Sequence, residues 1–377
     1  MKKIIFVSLL VIIGILFAGQ IKRGFLSALI LVDTVRPPEK ALMWRFIPPP
    51  AVKTVSIPSR GRDLKADIYV PRSKGSAVPL LLVHGVNPTG KDDAQLVLLA
   101  GNLARAGFLV LVPDFAGMKD LRMRRSDVED IVRSYRYLTG LQIARPGGVM
   151  MGISYGVGPL LFAAADSRIR DRASLVVSFG GYGDLRAVLQ FLMTGYYDYG
   201  GASGYLRPLE ALRWMFVYKN LDFLSSTADR KTLREIIERR NRYELASAAA
   251  LAGTLGPEGR AVYAFLSNTD PKQFGPLFER LPASLRDYVA ALSPAKIVKD
   301  IKADFIIVHG MEDYSIPYTE SIRLAEAVAE GRQVRLALLS HFMHIEPVEQ
   351  SAADLVERYA VGGWRLFKVI YALLKVQ

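Results

Sequence analysis

Apolar and polar positions along this chain follow two rhythms, and the change from one to the other predicts its elements. Short apolar runs at 79–83, 108–112 and 149–151 have the length of strands buried on both faces, and mainly apolar stretches at 174–179, 304–308 and 333–339 read as further strands. Between the first three lie stretches with helical spacing at 92–106 and 127–141. Ser126 is placed to cap the second of these, with Asp127, Glu129 and Asp130 in its first turn. Strands that alternate with helices in this way predict βαβ units and a mostly parallel central sheet flanked by helices. Before them, 52–57 and 64–70 alternate with period two, as an antiparallel pair at the sheet edge does.

The rhythm breaks after Asp184. From 185 to 293 there is no buried-strand pattern, but helical stretches recur at 229–243, 244–255 and 270–281. An insertion of this length is too long for a loop, so it reads as a helical cap. A last helical region spans 348–375. The expected organisation is therefore an N-terminal segment at 1–36, a Pro-rich linker at 37–51, a first part of an α/β core at 52–184, the cap at 185–293, and a second part of the core with a C-terminal helix at 294–377.

Composition changes this picture at the N-terminus. A hydrophobic content of 51% is high for a wholly soluble chain, and Met1-Lys2-Lys3 is followed by an apolar run from Ile4 to Gly19. Such a run reaches about 24 Å as a helix, and the small residues expected at a cleavage position are poorly placed. The expectation is an uncleaved signal anchor, with a cleaved signal peptide as the alternative, a membrane-anchored chain and an exported body. The run at 25–32 would extend the anchor or lie in the interface. The net charge of +13 comes from basic residues spread over many segments, without the single basic run and interleaved aromatics of a nucleic-acid site. An anionic lipid surface is the better-fitting partner, and no nucleic acid is expected. The chain has no cysteine, which excludes disulfides, cysteine metal sites and a thiol nucleophile.

The candidate chemistry centres on Gly148 to Pro159. There the apolar run at 149–151 breaks into Gly152-Ile153-Ser154-Tyr155-Gly156, followed by small and apolar residues. Gly-x-Ser-x-Gly between strand and helix is a nucleophile elbow, which exposes the serine hydroxyl on a strained turn above a helix N-terminus. Gly156-Val157-Gly158 is no dinucleotide fingerprint, because the third glycine position holds Leu161, and no phosphate-binding loop follows any strand. His341 and His344 lack the carboxylate spacing of a metal site, so neither metal nor cofactor is expected.

Four pieces agree in order: LLLVHG, GISYG, FIIVHGMEDYSIP and LALLSHFMHIEP. On these the chain from about Val52 to Tyr359 resembles the serine α/β-hydrolase superfamily, which implies an α/β-hydrolase fold with a helical cap insertion and the chain order Ser, Asp, His. The resemblance implies Ser154 as nucleophile, Asp313 as the acid and His344 as the base. His341 is the alternative for the base and Asp184 for the acid; Glu312 reads as a solvated turn residue. The oxyanion hole is expected from the backbone amides of Val86 and Tyr155. His84, His309 and Asp114 are expected to brace loops. Cleavage of a small-molecule or lipid-like carboxylic ester through an acyl-enzyme is implied, with a peptidase or amidase, or a non-catalytic membrane-tethered binding protein, as alternatives. Phe191, Tyr196, Tyr197, Trp214 and Phe216 of the cap are expected to line the substrate pocket.

Overall fold

The computed structural model describes residues 2–73, 75–340 and 361–377, with side chains from Ala18 onward. Strands β1 (Ala51–Ser59), β2 (Arg62–Val70), β3 (Pro79–Val83), β4 (Leu109–Pro113), β5 (Val149–Ile153), β6 (Leu175–Phe179), β9 (Asp304–Gly310) and β10 (Val334–Leu339) form one sheet in the order β1-β2-β4-β3-β5-β6-β9-β10. β1 pairs with β2, and β2 with β4, in antiparallel fashion; the other pairings are parallel. This is the mostly parallel sheet expected of an α/β-hydrolase fold. The uninterrupted apolar strands β3 and β4 are buried at every position, because helices cover both faces of the sheet.

One face carries α1 (Lys2–Thr34), α3 (Ala94–Ala106) and α15 (Gly363–Leu373); the other carries α5 (Arg125–Thr139), α6 (Val157–Ala165) and α14 (Thr319–Ala327). Asp93 caps α3 by accepting from the amides of Gln95 and Leu96 at 3.1 Å each. The cap of α5 differs from the expected Ser126. The helix starts two residues earlier, and Asp127 reaches back to accept from the Arg124 amide at 2.8 Å.

The N-terminal segment departs most from expectation. Among the described residues no helix is long and apolar enough to cross a membrane, so a membrane anchor is not supported. The physical reason lies in the second half of α1. Leu26, Leu29 and Ile30, spaced along one helical face, are buried in the same core as Leu366, Val369 and Ile370 of α15. The apolar run at 25–32 is thus a core helix. Its end is held by buried Asp33, whose carboxylate accepts from the amides of Leu42 (2.5 Å) and Met43 (3.1 Å) and from Asn102 Nδ2 of α3 (2.9 Å). The Pro-rich stretch that follows folds against the body through the short helix α2 (Met43–Phe46), with Met43 fully buried.

Between β6 and β9 the chain forms α7 (Leu185–Thr194), α8 (Glu210–Tyr218), α9 (Thr227–Asn241), α10 (Leu245–Ala252), α11 (Pro257–Ser267), α12 (Pro271–Glu279) and α13 (Ala283–Ala291). They share a core of their own that includes Phe191, Trp214 and Phe265. The sequence pattern missed a hairpin here, β7 (Tyr196–Tyr199) with β8 (Ala202–Tyr205), which is too short and too rich in glycine and tyrosine to read as buried strand.

Candidate active site

Ser154 directly follows β5 and begins the turn that leads into α6. Its φ of +53° lies in the left-handed region, a conformation that costs a non-glycine residue about 1–3 kcal/mol and persists only where packing imposes it. Gly156 shows what imposes it. A Cβ there would overlap the carbonyl oxygen of His84, so the head of α6 lies directly against the loop after β3. Gly85 in that loop is as close: a Cβ on it would stand 3.1 Å from Ser154 Cβ. The elbow and the His84-Gly85-Val86 loop are therefore in contact, with Val86 facing the cap core.

His84 is buried and fixes this loop. Nε2 accepts from the Phe115 amide at 3.1 Å, which leaves Nδ1 to donate to the Gly85 carbonyl at 2.7 Å. Burial pulls its pKa below the ordinary histidine value, in keeping with this neutral tautomer. Asp114, which precedes Phe115, pairs with Lys119 at 2.9 Å.

Asp313 follows β9 at the same sheet edge as Ser154. In the register Ile153–Phe179–Val308 the two strands flank β6, which puts their backbones about 10 Å apart. The Asp313 side chain is fully buried, and Oδ1 accepts from the amides of Ser315 (2.7 Å) and Ile316 (3.0 Å). Nε2 of His309 lies 3.0 Å from the Ile316 carbonyl and 3.3 Å from Asp313 Oδ2, and Nδ1 lies 2.6 Å from Ser321 Oγ. Because the Ile316 carbonyl only accepts, Nε2 carries a proton, and His309 braces the turn that presents Asp313. The Tyr155 hydroxyl donates to the Ser315 carbonyl at 3.2 Å and so ties the elbow to the Asp313 turn; burial pushes this phenol far above its usual range. Glu312 is half-buried beside Asp313.

Asp184, the alternative acid, stands at the head of α7. Its Oδ1 caps α7 by accepting from the Arg186 amide at 2.9 Å, and Ser293 Oγ lies 3.3 Å from it. No pattern in the sequence pointed to the buried Glu320 of α14. It accepts from the amides of Gly183 (3.0 Å) and Asp184 (2.6 Å), pairs with Arg323, and holds the loop after β6; burial raises its pKa. His341 and His344 lie outside the described residues. Among the described residues no group of acidic or histidine side chains is placed to hold a metal.

A cavity of about 640 Å³ opens beside Ser154. Its described lining includes none of the five cap aromatics named from the sequence. Phe191 and Trp214 are buried in the cap's own core, where Trp214 packs against Tyr263 and under the Arg240 guanidinium at 4.2 Å. The cavity lies instead along the sheet face covered by α1, α3 and α15, the helices that contribute Ile30, Leu99 and Leu366 to its walls.

A strained serine at the elbow of this eight-stranded sheet, with a helical insertion between β6 and β9, defines the α/β-hydrolase fold. Solved structures agree with that assignment. The chain is similar to the Pyrococcus horikoshii acylaminoacyl peptidase in its orthorhombic crystal form, with a TM-score of 0.51 and 15% identity over 88% of this chain and 42% of that one. It is likewise similar to a Mycobacterium tuberculosis puromycin-hydrolyzing peptidase, with a TM-score of 0.51 and 15% identity over 86% of this chain and 38% of that one. The chain thus spans less than half the length of either. No family model matches the sequence, and no curated protein matches it.

Proposed function

We propose that the protein is a serine hydrolase that cleaves a carboxylic ester through an acyl-enzyme on Ser154. The observation that carries this reading is the left-handed backbone of Ser154 at the end of β5, packed against the His84-Gly85-Val86 loop and linked through Tyr155 to the turn that bears Asp313. In this reading Ser154 Oγ attacks the ester carbonyl carbon while His344 takes its proton. Asp313 orients the imidazole and stabilises its charged form. The amides of Val86 and Tyr155 donate to the oxygen that becomes negative. The imidazolium then protonates the departing alcohol, and water, deprotonated by the same base, releases the acid. His341 is the alternative base.

An amide substrate on the same machinery is the second reading, favoured by the two similar solved structures, both of which are peptidases by description. Labelling the full-length chain with a fluorophosphonate, followed by a panel of esters and matched amides, separates the possibilities. Wild type labels and Ser154→Ala does not, and turnover falls by about 10⁴-fold or more in that variant. Ester turnover that survives in Ser154→Ala would sink the nucleophile assignment. A folded wild type that neither labels nor turns over any substrate would favour a binding protein. His344→Ala is expected to lose orders of magnitude in rate and His341→Ala little; the reverse result exchanges their roles.

A further inference from the structure

The cavity beside Ser154 has a floor of unusual make-up. Met151 and Ile153 of β5, Val177 and Phe179 of β6 and Val308 of β9 are neighbours in the parallel register and point to one face of the sheet, because alternate strand residues share a face. Ile153 and Phe179 are only half-buried although their strands lie inside the sheet, which is what an open space above them produces. The wall contributed by α15 is aliphatic as well, and α1 and α3 add Ile30, Leu96, Leu99 and Leu103 beside the polar Asp33, Thr34, Gln95 and Asn102.

Besides the exposed Arg36 and Gln95, the acidic groups that reach this space are engaged within the protein. Asp33 holds two amides and Asn102. Asp93 caps α3 with one oxygen and accepts from Asn87 Nδ2 at 2.9 Å with the other. A peptide or sugar moiety placed on the apolar floor would lose its hydration without gaining matching partners there, whereas a hydrocarbon chain would lose nothing. The volume lies within the range of about 300–1,000 Å³ typical of small-molecule sites and exceeds what an acetyl group would fill.

We infer that this cavity, between the sheet and α1, α3 and α15, is the acyl-chain site, and that it selects esters whose acyl part is an unbranched hydrocarbon of about eight carbons or more. The inference rests on the proposed ester hydrolysis at Ser154. The chain would run from the Ser154 carbonyl adduct back along the sheet face, away from the cap.

The test has two arms. In the first, the full-length protein is assayed with nitrophenyl acetate, butyrate, octanoate and dodecanoate, and with alkyl acetates of matching alcohol length. kcat/KM is expected to rise about threefold to fourfold per methylene on the acyl side, up to the length that the cavity accepts, and to stay flat on the alcohol side. Leu99→Trp and Val369→Phe, each checked for folding by near-ultraviolet circular dichroism, are expected to lower the ratio of dodecanoate to acetate kcat/KM at least tenfold. In the second arm, the Ser154→Ala protein is titrated with cis-parinaric acid. Saturable fluorescence displaced by dodecanoic acid is expected, weakened at least tenfold by adding Leu99→Trp. A flat acyl profile, a rise on the alcohol side alone, or no saturable fatty-acid binding overturns the inference. If no ester is turned over but the fatty acid binds and the filled variants weaken it, the ester reading fails while the cavity assignment stands.

Discussion

At the scale of single residues, the site depends on side chains held in conformations that only their neighbours make tolerable. Ser154 keeps its left-handed backbone because Gly156 and Gly85 let the elbow and the β3 loop touch. His84 holds that loop as a neutral imidazole, and this has a consequence for pH. Its folded pKa is lowered, so the unfolded chain takes up the proton first; the stability it contributes is present above the ordinary value of about 6.5 and is lost as pH falls below it. Asp127 opposes this trend. Burial raises its carboxyl to about 6, a shift that favours the folded state as pH falls. The His84 contribution is therefore read as a difference. Between about pH 7 and about pH 5 the urea midpoint of wild type is expected to fall further than that of His84→Gln; equal slopes would mean that His84 stays uncharged in both states.

At the scale of elements, the buried strands were legible because a run such as Leu80-Leu81-Leu82-Val83 has few other homes. The antiparallel edge pair was legible from its alternation, and its register runs from Ala51–Val70 to Ser59–Arg62. The second half of α1 was not, since a short apolar helix has the same composition whether protein or lipid covers it. What separates the two cases is a polar detail, Asp33, whose partners Leu42, Met43 and Asn102 are distant in sequence or on a different helix. Asp33→Ala leaves these donors buried and unpaired, and is expected to lower the unfolding free energy by about 2–4 kcal/mol in denaturant titration. Exposed Lys40→Ala nearby should change it by less than about 0.5 kcal/mol.

Across the whole molecule three apolar cores are stacked: one on each sheet face and one within the cap. The central strands β3 and β4 border two of them and are fully covered. Backbone amides of β3, β4 and β5 are therefore expected to exchange slowest in hydrogen–deuterium exchange mass spectrometry, and those of α8 to α13 faster. Comparable protection in the cap would show that it unfolds only together with the sheet. The order Ser154 then Asp313 was visible in the sequence because each follows an apolar strand. The place of the cavity was not, because its floor and walls come from segments as distant as Ile30, Met151 and Leu366, and only the packed sheet brings them side by side.

That placement also limits how the N-terminus can be trimmed. A recombinant chain shortened through Arg36, the cut that a reading of α1 as a detachable leader would suggest, would strip Leu26, Leu29 and Ile30 from the body. Leu366, Val369 and Ile370 would be left as a bare aliphatic strip beside the nucleophile. Such a product would be prone to clump on purification, and any poor activity it showed would report the missing wall rather than the chemistry of Ser154.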